Sequence, residues 1–376
     1  MIYTAGASTH YRPGLTTEAA STSASRAPSP PSSAPSTREA EAQREAKRRK
    51  LVRGREQPRP GGGAQRTATN MPAGWVLSAF ADEAGESAGE QLAALRKAGL
   101  DWIDLRNVDG YNVSDLPLAD ARRLRQRLDA AGVRVGMLGS PIGKCSLDCN
   151  LEEDLGKLRH LAAVGNIIGC GSVRIFSYYN SKAEPLQEEG WRAEAVQRLR
   201  ALKKEASRLG MTLYLENEGG LFGDTVERVQ SLLRELRDED EGARIFGSIF
   251  DFDNYLQVGE DVWKAWQTLR DVTDAFHLKE SRHTPTNGFE HVPLGQGEVN
   301  SLKILQDAKQ RGFKGSLSLE PHLTRSPAVL KTGPHGRANV NLDSIGAAGT
   351  FQIAAEAAWE VLGSVSSFSS ARVTNV

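Results

Sequence analysis

The sequence predicts an α/β chain that closes into a (β/α)8 barrel, preceded by a long segment of different composition. Three observations carry that reading. From Trp75 onward, eight strand-sized apolar runs alternate with longer stretches of helical periodicity. The steps from Phe80 to Glu320 average about 34 residues, enough for a βαβ crossover, which takes about 30 or more. Several helical stretches stop at a glycine and re-enter a strand at once, as in Lys97-Ala98-Gly99-Leu100 and Ala130-Ala131-Gly132-Val133. That is how a helix returns to the next parallel strand.

Taken in order, the strand candidates are Trp75–Phe80, Trp102–Leu105, Val133–Leu138, Val173–Phe176, Thr212–Leu215, Ile245–Phe250, Ala275–Leu278 and Ser316–Leu319. Between the first two, Glu90–Ala98 places Leu92 and Leu95 on one helical face. Gly99, Gly132, Gly210 and Gly312 stand where left-handed helix caps are wanted. A last helix around Gly349–Leu362 completes the outer ring. A doubly wound open sheet is the alternative, but Phe80-Ala-Asp-Glu83 follows the first strand where that fold would carry GxGxxG. The expected organisation is a disordered segment over 1–70, a barrel over 71–364 and a flexible tail over 365–376.

Composition bounds the function. The chain of 376 residues carries 47 Lys+Arg and 47 Asp+Glu. That balance argues against a nucleic-acid partner, and no apolar run reaches the roughly 20 residues of a membrane span. Neutrality hides two unlike parts: residues 1–70 hold 12 Lys/Arg against 5 Glu, leaving 35 basic and 42 acidic residues in 71–376. The first part is rich in Ser, Pro, Arg and Gly, includes Lys47-Arg48-Arg49-Lys50, and has too few bulky apolar residues to offset chain entropy. It reads as a transit peptide, a nuclear address, a genuine tail, or leader translated upstream of a start at Met71. The three cysteines, Cys145, Cys149 and Cys170, make no disulfide framework, so they are expected to be ordinary thiols in a reducing, cytoplasmic setting. His160, within a helical stretch, is expected to be structural.

In such a barrel the chemistry sits at the C-terminal strand ends. Four consecutive strands end in Tyr214-Leu-Glu216-Asn-Glu218, Phe250-Asp251-Phe-Asp-Asn254, Phe276-His277-Leu-Lys279 and Ser318-Leu-Glu320-Pro-His322. Each delivers a ligand-type side chain to the same rim: Glu216, Asp251, His277 and Glu320. Unpaired carboxylates converging there would repel one another, and a divalent cation removes that cost. The mostly hard oxygen set suits Mn²⁺, Mg²⁺ or Co²⁺, with Zn²⁺ admissible. Lys279 lies two residues past His277, on the same side of its strand, and is either a substrate contact or half of a salt bridge. Lys144 and Arg106 are anion-holding or surface residues, and Glu83, Glu218 and Asn254 are further candidates for substrate contact.

The ordered motifs Leu215-Glu216-Asn-Glu218-Gly-Gly, Phe250-Asp251-Phe-Asp-Asn254, His277-Leu-Lys279, Pro293-Leu-Gly295-Gln-Gly297 and Leu319-Glu320-Pro-His322 resemble the xylose-isomerase-like TIM-barrel superfamily. Within it, the match is to the group called sugar phosphate isomerases/epimerases. Ser78-Ala-Phe-Ala-Asp-Glu83, Leu105-Arg106, Gly139-Ser-Pro-Ile-Gly-Lys144 and Arg174-Ile-Phe-Ser177 agree, so the resemblance spans about 75–362. It implies one divalent metal held by Glu216, Asp251, His277 and Glu320, with both glutamates doubling as acid/base groups. Some members carry a His three residues after the metal-binding Asp; this chain has Asn254.

The implied activity is isomerisation or epimerisation of a keto-sugar or related polyol ketone by enediolate proton transfer, with a small carbohydrate as partner and homo-oligomers common in the superfamily. The alternatives are a metal-dependent dehydratase of a keto-polyol or cyclic hydroxy-keto acid, and a sugar-binding barrel without turnover. A base-excision endonuclease would need more histidine ligands and a basic groove.

Overall fold

The computed structural model describes residues 71–182, 184–237, 244–285, 288–323 and 345–368. The expectations for 1–70 and for the end of the C-terminal tail lie outside the described residues. Eight parallel strands form one sheet: β1 (Val76–Ala79), β2 (Trp102–Leu105), β3 (Arg134–Gly139), β4 (Ser172–Ile175), β5 (Thr212–Glu216), β6 (Phe246–Asp251), β7 (Ala275–Leu278) and β8 (Ser316–Leu319). Their order is β1-β8-β7-β6-β5-β4-β3-β2. The sheet is thus a nearly closed barrel. At the seam no ladder pair joins β1 to β2 among the described residues; instead Ser78 Oγ of β1 donates to Asp104 Oδ1 of β2 at 2.8 Å. Ser318 Oγ of β8 donates to the other Asp104 oxygen. Gly136 makes room, since a Cβ there would meet Asp104 Oδ1 at 2.6 Å.

Around the strands run α1 (Ala88–Ala98), α2 (Leu118–Ala131), α3 (Leu151–Ile168), α4 (Glu188–Leu209), α5 (Val226–Arg237), α6 (Val262–Leu269), α7 (Ser301–Gln310) and α8 (Ala347–Ser367). The expected glycines do cap: Gly99, Gly132, Gly210 and Gly312 have φ of 69°, 70°, 70° and 76°, where a side chain would be strained. Ser87 and Glu90 close a capping box on α1. The main apolar core lies between sheet and helices, with Leu77, Ile103, Val173, Leu213 and Leu317 packed against Leu95, Leu124, Leu158 and Leu199. A smaller cluster of Met137, Ile249 and Ala275, with Tyr214 beside it, sits apart. Tyr214 and Ala275 lie two residues before Glu216 and His277 and so share their face, forming a floor beneath the strand ends.

One expectation is corrected. Cys145 and Cys149 are a disulfide rather than ordinary thiols, because the loop before α3 brings their Cα atoms to 6.3 Å. With that pair formed, the odd cysteine count no longer speaks to compartment, and Cys170 is buried outside the disulfide. The hairpin of Ser281–His283 and Phe289–His291, paired antiparallel beyond β7, was not foreseen. His160 behaves as expected, with Nε2 2.9 Å from the Leu116 carbonyl. No helix among the described residues is long and apolar enough to cross a membrane.

Candidate metal centre

Strand register builds the site. Glu216 and Asp251 are the last residues of β5 and β6, Asp251 is the ladder partner of His277, and Glu320 directly follows β8. Parallel partners present their side chains to the same face, so all four enter the barrel mouth. One ligand-type atom from each lies within 4.8 Å of every other, and all four side chains are buried. His277 Nδ1 is at the middle, 2.9 Å from Glu216 Oε1, 3.1 Å from Glu320 Oε2 and 3.9 Å from Asp251 Oδ2. Asp251 is fixed further by capping the short helix Phe252–Gln257, accepting from the Asn254 N–H at 2.8 Å. Phe80 packs edge-on to the His277 ring.

The electrostatics are those of acids short of counter-charge. Burial pushes Asp251 up to about 7, although Lys279 opposes it. Burial would also raise Glu216, but His277 and Arg174 hold it down at about 2. Burial disfavours charge on His277, yet Glu216 and Glu320 together raise it to about 10. The histidine proton thereby does part of the work a cation would do. Glu216 Oε2, Asp251 Oδ2 and Glu320 Oε2 are buried and accept no hydrogen bond of good geometry. Three such oxygens with one imidazole nitrogen fit a single divalent ion; the set could hold one without rearranging the strands.

The other expected residues are close by, but engaged. Lys279 Nζ lies 3.0 Å from Asp251 Oδ2, so the salt-bridge reading describes its present contact. Lys144 Nζ lies 2.8 Å from Glu218 Oε2, which brings both candidates to one wall. Arg106 is only 4% exposed, not at the surface, with Nη1 2.7 Å from Glu320 Oε1 and Nε 2.8 Å from Asp82 Oδ2. Glu83 lies 3.3 Å from Arg106, and burial still pushes it up to about 8. Asn254 Nδ2 donates to the Asn217 carbonyl at 2.8 Å. Arg282 and His283 are half exposed on the hairpin, pairing with Glu290 and Glu298.

Three residues with no assigned role join the site. Arg174, on β4, lies 3.2 Å from Glu216 Oε2. It stands in the motif Arg174-Ile-Phe-Ser177, to which the sequence attached no role because β4 ends without a carboxylate. His322 lies 3.4 Å from Glu320 and 3.5 Å from Glu83. His291 comes from the hairpin, 3.3 Å from Asp253 Oδ2, and the apolar pattern gave no sign of it. Lys144, Arg174, Lys279, His291 and His322 line, with Glu218, Asn254, Gln257 and Glu320, one cavity at the barrel mouth.

A fold of this kind with acids and one imidazole at the strand ends defines a class of TIM barrels. The family model for the xylose isomerase-like TIM barrel matches residues 92–337, and the chain belongs to that family. No curated protein matches it in sequence. Among solved structures, a xylose isomerase-like TIM barrel protein from Mycobacterium smegmatis in complex with magnesium is 17% identical, with a TM-score of 0.57 over 80% of this chain and 99% of that one. The 3-keto-D-glucoside 4-epimerase from E. coli is 14% identical, with a TM-score of 0.53 over 77% and 98%. A probable 3-DHS dehydratase from Bacillus anthracis is 20% identical, with a TM-score of 0.51 over 65% and 92%. At these identities the likeness is one of fold.

Proposed function

We propose that the chain is a divalent-metal-dependent isomerase or epimerase of a keto-sugar or related polyol ketone, with Glu216 and Glu320 as its acid/base pair and Mn²⁺ as the preferred ion. The observation that carries this reading is the buried quartet Glu216, Asp251, His277 and Glu320, whose ligand-type atoms all lie within 4.8 Å of one another. The bound ion would supply Lewis-acid stabilisation of the enediolate oxygens. Glu216 and Glu320 stand across the centre from one another. One, as carboxylate, takes the proton α to the carbonyl and, now protonated, returns it at the neighbouring carbon, whereas delivery on the opposite face requires the second glutamate first to have taken up a proton of its own. Arg174 lies 3.2 Å from Glu216 and 3.8 Å from Glu320, and so favours the ionised form of both. His322, 3.4 Å from Glu320, and His291 line the same cavity and would meet substrate hydroxyls there. The floor of Met137, Ile249 and Ala275 is apolar, so the acid/base groups have no polar neighbour among these side chains.

Dehydration of a keto-polyol would use the same centre and the same enediolate, and the fold shared with a probable dehydratase keeps it as the second reading. The deciding test is a panel of keto-sugars, inositol-derived ketones and hydroxypyruvate in D₂O with Mn²⁺. Deuterium at the α-carbon without loss of water supports the proposal, and loss of water with exchange supports the dehydratase. Glu216→Gln and Glu320→Gln should each lower exchange by at least about 100-fold while circular dichroism stays unchanged. Full exchange in both variants would remove their acid/base roles.

A further inference from the structure

We infer that the Cys145–Cys149 pair is a reversible thiol–disulfide site, open to small thiols, whose reduced form carries its negative charge on Cys149. This goes beyond the keto-sugar reading and depends on neither that reading nor the metal quartet. The two sulfurs have surroundings of opposite charge. Arg198 Nη1, from α4, lies 3.7 Å from Cys149 Sγ, whereas Cys145 Sγ lies 3.9 Å from Asp154 Oδ2 of α3. A thiolate is favoured beside a guanidinium and disfavoured beside a carboxylate. Each neighbour is only partly compensated. Glu194 faces Arg198 at 3.3 Å but is shared with Lys182 at 3.0 Å. Lys157 lies 3.6 Å from the other oxygen of Asp154 and is the more exposed partner of that pair.

The loop that carries the pair is held in place without the S–S bond. The Tyr179 N–H donates to the Cys145 carbonyl, the Leu147 N–H to the Tyr179 carbonyl and the Cys149 N–H to the Ser146 carbonyl, each at 2.9 Å. Arg198 donates to the Cys149 carbonyl at 3.0 Å and to the Leu147 carbonyl. Asp154 accepts from the Gly143 N–H at 3.1 Å and the Tyr178 hydroxyl at 3.0 Å, which ties down the start of the loop. The cysteines are four residues apart, and the chain entropy that a cross-link removes from the unfolded state shrinks with the loop it closes. The bond can therefore open while the loop stays folded, with both thiols kept near enough to close again. Cys145 and Cys149 are only partly buried against the core, within reach of a small thiol, whereas Cys170 is buried.

The chemistry of opening follows from that asymmetry. One thiolate of a dithiol reductant bonds to Cys145 Sγ, the S–S bond breaks, and its electron pair leaves on Cys149 Sγ, beside Arg198. The reductant's second thiolate then bonds to the reductant's own sulfur in the mixed disulfide and expels Cys145, which takes a proton. The pair has gained two electrons and the dithiol has become a cyclic disulfide. Of the dithiol's two protons, one is on Cys145 and the other has gone to water. Lys144, the residue before Cys145, lines the cavity, so the exchange takes place at the edge of the barrel mouth.

The experiment follows both cysteines of the full-length protein by peptide mass spectrometry. Glutathione disulfide should close the pair and reduced glutathione should open it, with circular dichroism unchanged through the cycle. In the reduced protein, iodoacetamide should alkylate Cys149 at least about tenfold faster than Cys145. Arg198→Met should abolish that preference, and Arg198→Lys should keep its direction. A pair that never closes, or that glutathione cannot open, overturns the inference. So does a reduced protein in which Cys145 reacts as fast as Cys149, or a folded Arg198→Met variant that keeps the full preference. Should Arg198→Met fail to fold, the two rates in the unaltered chain still decide.

Discussion

Two groups of buried acids stand at the barrel mouth, and they are neutralised in opposite ways. Asp82 and Glu83, just after β1, close around a guanidinium: Arg106 reaches Asp82 at 2.8 Å and Glu83 at 3.3 Å, and its third arm reaches Glu320 at 2.7 Å. Glu216, Asp251 and the outer oxygen of Glu320 gather instead around His277, with Arg174 beside Glu216 and Lys279 beside Asp251. By distance alone, Glu83, Glu320 and His322 also qualify as a metal cluster. The guanidinium already in place there argues otherwise. The quartet has cations beside it too, Lys279 at 3.0 Å from Asp251 and Arg174 at 3.2 Å from Glu216, but no single guanidinium closes around its acids as Arg106 does around Asp82 and Glu83.

Removing the built-in cation is the strongest way to break this contrast. Arg106→Met leaves Asp82, Glu83 and one side of Glu320 buried without counter-charge, and should cost about 3–5 kcal/mol of stability, read as a lower denaturant midpoint. Arg106→Lys keeps the charge but loses the fork, and should cost less. A loss below about 1 kcal/mol in Arg106→Met would show that these acids never depended on the guanidinium.

How much of this was legible beforehand divides along the same line. The bounds of Trp102–Leu105, Ala275–Leu278 and Ser316–Leu319 agree with the strand candidates, because the positions that enter the core stay apolar: Ile103 and Leu105, Phe276 and Leu278, Leu317 and Leu319. The convergence of Glu216, Asp251, His277 and Glu320 was legible too, since strand ends in a barrel share one rim whatever the loops do. The burial of Arg106 was not. Its partners lie 24, 23 and 214 residues away, and no local pattern encodes an ion pair at that range. His291 escaped for a related reason: the hairpin that carries it is only three residues per strand, too short to show alternation. The Cys145–Cys149 pair depended on the turn of one loop, which composition does not describe.

The open group should also differ from the closed one in its response to pH. In the metal-free protein, burial opposes charge on His277, but Glu216 and Glu320 raise it to about 10. A raised value means the imidazole is protonated through neutrality, and a metal needs that nitrogen bare. Uptake of Mn²⁺ should therefore release a proton, and affinity should rise by up to about tenfold per pH unit between about pH 6 and 8. Calorimetry in two buffers of different ionisation enthalpy measures the proton directly. Affinity flat across that range would mean His277 is neutral before the metal arrives, and would return the balance of charge to Arg174 and Lys279.

The smallest effect comes from a carboxylate that shares neither environment. Glu205, on the outer surface of α4, accepts from Arg208 Nη2 and Arg159 Nε, each at 2.7 Å. Hydrogen bonds from Arg208 and then Arg159 lower it from 4.5 to about 2. A lowered value means its stabilisation is complete above the ordinary carboxylate range and drains away as pH falls toward about 2. Water screens the group, so the contribution at neutral pH should stay below about 1 kcal/mol. Glu205→Gln should lower the unfolding midpoint slightly at neutral pH, less in high salt, and not at all near the acid end. The Arg106 variants, buried and unscreened, should keep their loss in high salt. Equal salt sensitivity at both positions would mean that water reaches Arg106, and burial would no longer explain why its acids need an internal cation.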